Sequence, residues 1–307
     1  MQAMEILENL FFIERGYLNG NHFVCRSDPP VLIDSAYGGD FAETRRRISD
    51  LGVDLSDVRT IVNTHCHCDH IGGNRAIQEQ SGCDIALHRI GKHFIDTRND
   101  WATWWRYYHQ EADFFDCTTA LDDGDVISVG PHPFQVIHTP GHSADGVVLY
   151  HPGEKLLISS DTLWEADMAV MTERVEGSTA ALDMMASLEA IEALDVRRVY
   201  PGHGRPFTDF NGAVERAKAR VRRYLDDRSA MGGDLLKKIT VYTLLMRSSV
   251  AEDRFFDRLM DTWWFRETVD LYFDGRYREK YDHVMAQLTG RGIVRRDGGR
   301  LSTGVKP

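Results

Sequence analysis

The stretch NTHCHCDHIGG, residues 63–73, constrains this chain more than any other. It sets three histidines and an aspartate (His65, His67, Asp69 and His70) within six residues, with Cys66 and Cys68 between them. In extended backbone, side chains two apart leave on the same side, so His65 and His67 can reach one cation together. If the chain then turns into a helix, Asp69 and His70 swing toward a second position close by. Imidazole suits zinc, iron and related ions, and a carboxylate adds charge compensation. A single tetrahedral cation leaves donors over. Two adjacent cations use them all, provided that more ligands arrive from elsewhere.

Three later motifs offer them. HTPGHSADG (138–146) carries His142 in a glycine-bounded loop, SSDTLW (159–164) carries Asp161, and YPGHGRP (200–206) carries His203. The runs around them read as short strands: 10–15, 22–26, 30–34, 59–63 and 84–88 in a first series, then 126–129, 134–139, 146–150 and 155–161. Helical periodicity covers 40–51, 73–80 and 178–194. Two β-rich halves, each with helices, fit two packed sheets with helices outside. His65, His142, Asp161 and His203 then each sit just past a strand, where loops carry chemistry on a fixed scaffold.

From about 210 the pattern turns helical, over 210–228, 233–247, 252–262 and 276–289. It closes on GIVRRDGGRLS (292–302), in which Asp297-Gly298 signals a hairpin turn. This divides the chain into a catalytic part, 1–225, and a small, mainly helical, winged-helix-like unit, 226–307.

The set His65-Cys66-His67-Cys68-Asp69-His70, with His142, Asp161 and His203, resembles the HxHxDH…H…D…H signature of the metallo-β-lactamase superfamily. LID at 32–34 and TPGHS at 139–143 are also typical of that family. The resemblance spans roughly residues 8–210, and four separated motifs recur in order. It implies an α+β fold, the four-layer αββα sandwich, with two divalent metal ions at the sheet edge. It places His65, His67 and His142 on one cation and Asp69, His70 and His203 on the other, with Asp161 bridging. Zinc is the first expectation for the metals, with iron or manganese as alternatives. Asp34 is expected to orient a ligating histidine and not to bind metal itself.

The chemistry that follows is hydrolysis. A bridging hydroxide, made available at neutral pH by the two cations, would attack the carbonyl of a small ester, thioester or lactone. Asp69 is the candidate catalytic residue, orienting the nucleophile and passing a proton to the leaving atom. No Gly-x-Ser-x-Gly elbow accompanies the site, so no serine nucleophile is needed. PGHGRPF lacks the GHEYT pattern typical of hydroxyacylglutathione hydrolases, which counts against that activity without excluding thioesters. WATWWRYY places Trp101, Trp104, Trp105 and Tyr108 at i, i+3, i+4 and i+7, one face of a helix. Such a stripe either packs on the core or walls a pocket. Trp101 and Trp105, with Trp164 three residues past Asp161, are the candidate substrate contacts. DTWWFRE (261–267) gives the C-terminal unit its own aromatic cluster, able to dock on the sandwich, close the pocket or form a homodimer face.

Composition trims the alternatives. Residues 226–307 carry 15 Lys+Arg against 13 Asp+Glu, whereas residues 1–225 carry 21 against 34. So acidic a catalytic part repels a polyanion, which weighs against a nuclease or phosphodiesterase of the same family and against nucleic acid as a partner. A mononuclear-iron sulfur dioxygenase shares HxHxDH but uses one metal; a non-catalytic sensor would not need an intact donor set. No apolar run is long enough to span a bilayer, no export signal is read at the N-terminus, and the five cysteines are an odd number. The expectation is a cytoplasmic enzyme with reduced thiols, in which Cys66 and Cys68 are small buried residues.

Overall fold

A computed structural model describes residues 3–306 of the chain. Seven strands stand side by side in sequence order: β1 (Met4–Leu7), β2 (Leu10–Ile13), β3 (His22–Cys25), β4 (Val31–Ile33), β5 (Thr60–Val62), β6 (Asp84–His88) and β7 (Thr119–Leu121). They run antiparallel as far as β4 and parallel from β4 to β7. A second sheet holds β8 (Val126–Val129), β9 (His132–His138), β10 (Val147–His151), β11 (Leu156–Ser160) and β12 (Arg198–Pro201), in the order β12-β11-β10-β9-β8.

The layering follows from strand periodicity. Phe23 and Cys25 of β3 and Val31 and Ile33 of β4 face the other sheet, meeting Phe134, Val136, Val147, Leu149 and Ile158. Val24 and Leu32, between them in sequence, point the opposite way and join Ile48 and Ile77. Those two residues belong to helices α1 (Phe41–Asp50) and, beyond the one-turn α2 (Cys68–Ile71), α3 (Asn74–Ser81), which with α4 (Arg89–Asp96) cover the first sheet. After the short α5 (Trp105–Tyr108) and α6 (Glu173–Glu176), α7 (Ala180–Glu192) and α8 (Phe210–Asp226) cover the second. There Met184, Leu188, Val214 and Val221 pack on Val148 and Leu157. Each fully buried side chain of this kind contributes about 1.5–3 kcal/mol. The result is the expected αββα sandwich.

The chain continues through α9 (Arg228–Arg247), α10 (Phe255–Met260), α11 (Trp263–Phe273) and α12 (Tyr277–Gly290). A small sheet of β13 (Val250–Ala251), β14 (Val294–Asp297) and β15 (Arg300–Thr303) ends it, with β14 and β15 paired across the expected turn as Asp297 opposite Arg300. The 225/226 boundary falls at the junction of α8 and α9, where the Asp227 carboxylate accepts from the Ser229 amide. The apolar core does not stop there. Leu235 and Ile239 of α9 and Trp264 and Phe265 of α11 share one cluster with Trp104, Tyr107, Tyr108 and Phe115.

One expectation fails locally. WATWWRYY does not form a continuous helix, because Trp104 adopts a left-handed conformation, φ 65°, and only Trp105–Tyr108 are helical. No helix among the described residues is long and apolar enough to cross a membrane.

Candidate metal centre

All seven expected donors converge at one edge of the sandwich, and all are buried. His65 and His67 follow β5, His142 lies in the loop from β9 to β10, Asp161 follows β11 and His203 follows β12. The single turn of α2 carries Asp69 and His70 back toward them. Ligating atoms of His65, His67 and His142 lie within 4.8 Å of one another, as do those of His65, His70 and Asp161 and those of Asp69, His70 and His203. Asp161 Oδ2 is 3.3 Å from His142 Nε2 and 3.6 Å from Nε2 of both His70 and His203, so it sits between the two groups. Asp69 Oδ2 is 3.2 Å from His203 Nε2. Close backbone approach makes this convergence fit. A Cβ on Gly202 would stand 2.1 Å from Asp161 Oδ1, and one on Gly20 would stand 2.7 Å from the His70 ring.

Outer hydrogen bonds orient the rings. His70 Nδ1 donates to Asp34 Oδ2 at 2.8 Å, His142 Nδ1 to the Val170 carbonyl at 2.6 Å and His203 Nδ1 to the Gly16 carbonyl at 3.2 Å. Protonating Nδ1 leaves a lone pair on each Nε2, aimed inward. His67 is turned the other way: its Nδ1 is 2.9 Å from His142 Nε2, and its Nε2 faces Glu176 Oε1 at 3.4 Å. The inward atoms His65 Nε2, His70 Nε2, His203 Nε2 and Asp69 Oδ1 are buried without a hydrogen-bond partner. Orphaned buried donors of this kind are costly unless something binds them, so the residues present fit a pair of cations.

Charge is partitioned across the cluster. Burial and then the neighbouring imidazoles hold His65 and His67 well below the ordinary histidine range. Burial opposes the charged form of His70 too, but Asp69, Asp34 and Asp161 outweigh it and raise His70 well above that range. Burial likewise disfavours ionised Asp161, yet His203, His70 and His142 hold its carboxyl well below the usual carboxylate range.

Asp34 stands as expected, outside the donors. It accepts from the Thr64 amide and hydroxyl, both at 2.8 Å, while holding His70. Asp34→Asn should keep the fold and lower metal affinity about 10–100-fold, the usual cost of losing an outer partner. Chelator competition measures this, and unchanged affinity would remove Asp34 from that role. All five cysteines are free and buried. Cys66 donates to the Ala102 carbonyl at 3.7 Å and Cys68 to Gln110 Oε1 at 2.8 Å, so both thiols serve the 102–110 segment.

A cavity of about 620 Å³ opens beside the donors. Trp164 lines it, donating through Nε1 to Asp161 Oδ1 at 3.2 Å, with His203 edge-on at 5.1 Å. Trp101 and Trp105 do not line it. The break at Trp104 sends Trp101 against Tyr107 and Trp263, at 5.5 and 6.0 Å, and Trp105 against Phe114 at 5.7 Å. Trp104 takes their place: its indole stacks on the His67 ring at 3.7 Å and lines the cavity. Nothing in the motif distinguishes Trp104 from its neighbours, and no motif marks Glu176. The opposite wall, from α8, α9 and the C-terminal end, was equally unmarked.

A family model described as the metallo-beta-lactamase superfamily matches residues 21–203. A hydroxyacylglutathione hydrolase of Maricaulis maris is 30% identical over 59% of this chain and 64% of its own length. An acyl-coenzyme A thioesterase of Bos taurus is 25% identical over 65% of this chain and 80% of its own. The chain spans less than two thirds of the length of the hydroxyacylglutathione hydrolases it matches. In fold, a metallo-beta-lactamase family protein from Thermus thermophilus superposes with a TM-score of 0.63 at 20% identity, over 97% of this chain and 100% of the other.

Proposed function

Since this chain belongs to the metallo-beta-lactamase superfamily, we propose that it is a metal-dependent hydrolase of small acyl compounds, thioesters ahead of oxygen esters and lactones. The observation that carries this reading is the buried convergence of the seven donors, in which His65 Nε2, His70 Nε2, His203 Nε2 and Asp69 Oδ1 have no hydrogen-bond partner. The thioester preference draws on the relatives named as a hydroxyacylglutathione hydrolase and an acyl-coenzyme A thioesterase.

In this reading His65, His67 and His142 would hold one divalent ion and Asp69, His70 and His203 the other, with Asp161 placed between the two groups. Two divalent ions bound there, zinc foremost, would supply carbonyl polarisation and a water whose pKa is lowered toward about 7. Asp69, whose Oδ1 is buried at the cavity and otherwise unengaged, would orient an attacking water and pass a proton to the leaving atom. Trp104 and Trp164 shield the donors from solvent. Residues 1–225 form the catalytic part, and residues 226–307 complete the cavity from the far side.

Elemental analysis with a matched ester, thioester and lactone panel tests the proposal. About two metal equivalents per chain are expected, with thioester turnover lost on chelation and restored on adding metal back. Turnover that survives full chelation would defeat it. A single iron with oxygen uptake would replace it by the dioxygenase reading.

A further inference from the structure

The cavity has two ends of different chemistry. Asp69, His142 and Asp161 mark the inner end, and Tyr242 lines the same cavity. Along α9, Asp234, Lys237, Lys238, Val241 and Tyr242 all line the cavity, at the spacing of one helical face. With a rise of 1.5 Å per residue, Lys237 and Lys238 stand roughly 6–8 Å further along the axis than Tyr242.

That outer end is cationic. Arg220 and Arg223 of α8, the two lysines and Arg291 just past α12 face two carboxylates, Asp167 and Asp234. Both carboxylates are engaged: Asp167 with Arg220 and with Lys238 at 3.0 Å, Asp234 with Lys238 at 2.7 Å and Lys237 at 3.3 Å. Arg223 and Arg291 are exposed and make no ion pair among the described residues. A chain of net charge −11 thus gathers surplus positive charge on one wall of its reaction cavity. Such a wall concentrates anions, and guanidinium forks match phosphate and carboxylate oxygens. Val241, Leu288, Ile293 and Val305 add an apolar flank to the same cavity.

We propose that the wall built from α8, α9 and Arg291 binds an anionic group of the substrate, a phosphate or carboxylate set a helical turn or more from the scissile carbonyl. The substrates are then anionic acyl derivatives and not neutral ones. This rests on the hydrolase reading above and adds to it where the substrate's charge must lie.

Three thioesters test it on the full-length, metal-loaded protein. One joins a short neutral acyl group to N-acetylcysteamine, one joins the same acyl group to phosphopantetheine, and one joins a dicarboxylic half-acyl group to N-acetylcysteamine. At least one anionic ester should exceed the neutral one in kcat/KM by about tenfold, with the advantage shrinking as salt rises from about 50 to 300 mM. The winning ester identifies the anion and the half of the substrate that bears it. Arg223→Glu combined with Arg291→Glu should abolish the ratio, and Arg223→Lys with Arg291→Lys should keep most of it. Equal rates on all three esters, or a ratio that survives charge reversal, would overturn the proposal while leaving the hydrolase reading intact. No turnover of any of the three would defeat the hydrolase reading and this inference with it.

Discussion

Asp161→Ala should cost the protein its metal and its activity together. This carboxylate lies within 3.6 Å of histidines from both halves of the cluster, so its loss reaches both. Its charge also offsets His70 and His203, both raised despite burial, His203 chiefly by Asp161 and Asp69. Without it an incoming pair of cations meets two imidazoles and one fewer negative charge to offset its own. Metal content is expected to fall below about one equivalent, and kcat/KM by more than the roughly hundredfold that losing an outer partner costs. Asp161→Asn keeps the shape and the bond from Trp164 but not the charge, so it should resemble the alanine variant in metal content. Circular dichroism guards against simple misfolding. Full turnover by a folded Asp161→Ala protein holding less than one metal would falsify the two-cation mechanism.

The parts of the molecule legible in the sequence are those whose cause is local. DIALH and VISV form strands over the residues read as strands, because β-rich runs bounded by turn residues leave little choice. The donors were legible because metal chemistry demands particular side chains in particular motifs. Strands β1 and β7 lie at the two edges of their sheet and form only because a neighbour offers an unpaired edge, which no short window records. WATWWRYY shows tertiary structure overriding periodicity. Its spacing fits one helical face, yet stacking on His67 accompanies a left-handed turn at Trp104 that divides the stripe. The cavity wall was the least visible feature, since Arg220, Lys237 and Arg291 meet Asp69 and His142 only through packing across the whole chain.

Trp264→Ala should be the most destabilising single change outside the metal centre. The side chain is 0% exposed and lies in the cluster that joins α9 and α11 to Trp104, Tyr107 and Tyr108. Truncating a buried tryptophan costs about 3–5 kcal/mol, through lost transfer energy and the cavity left behind. The damage should also reach the donors, because α11 packs on α5 and on α9. One follows directly from the indole that backs His67, and the other carries Tyr242 and the lysines. Weaker metal retention is therefore expected alongside the lower denaturation midpoint. Trp263→Ala is the control: at 42% exposed and 6.0 Å from Trp101, it should cost no more than about 1 kcal/mol. Urea unfolding followed by far-ultraviolet circular dichroism and by metal release reads both effects. A shared core requires the two signals to move together in the Trp264 variant. Unfolding of residues 226–307 in a separate, earlier step, with metal still held, would mean that the C-terminal unit folds apart from the sandwich and that the continuity of the cluster does not carry the coupling assigned to it.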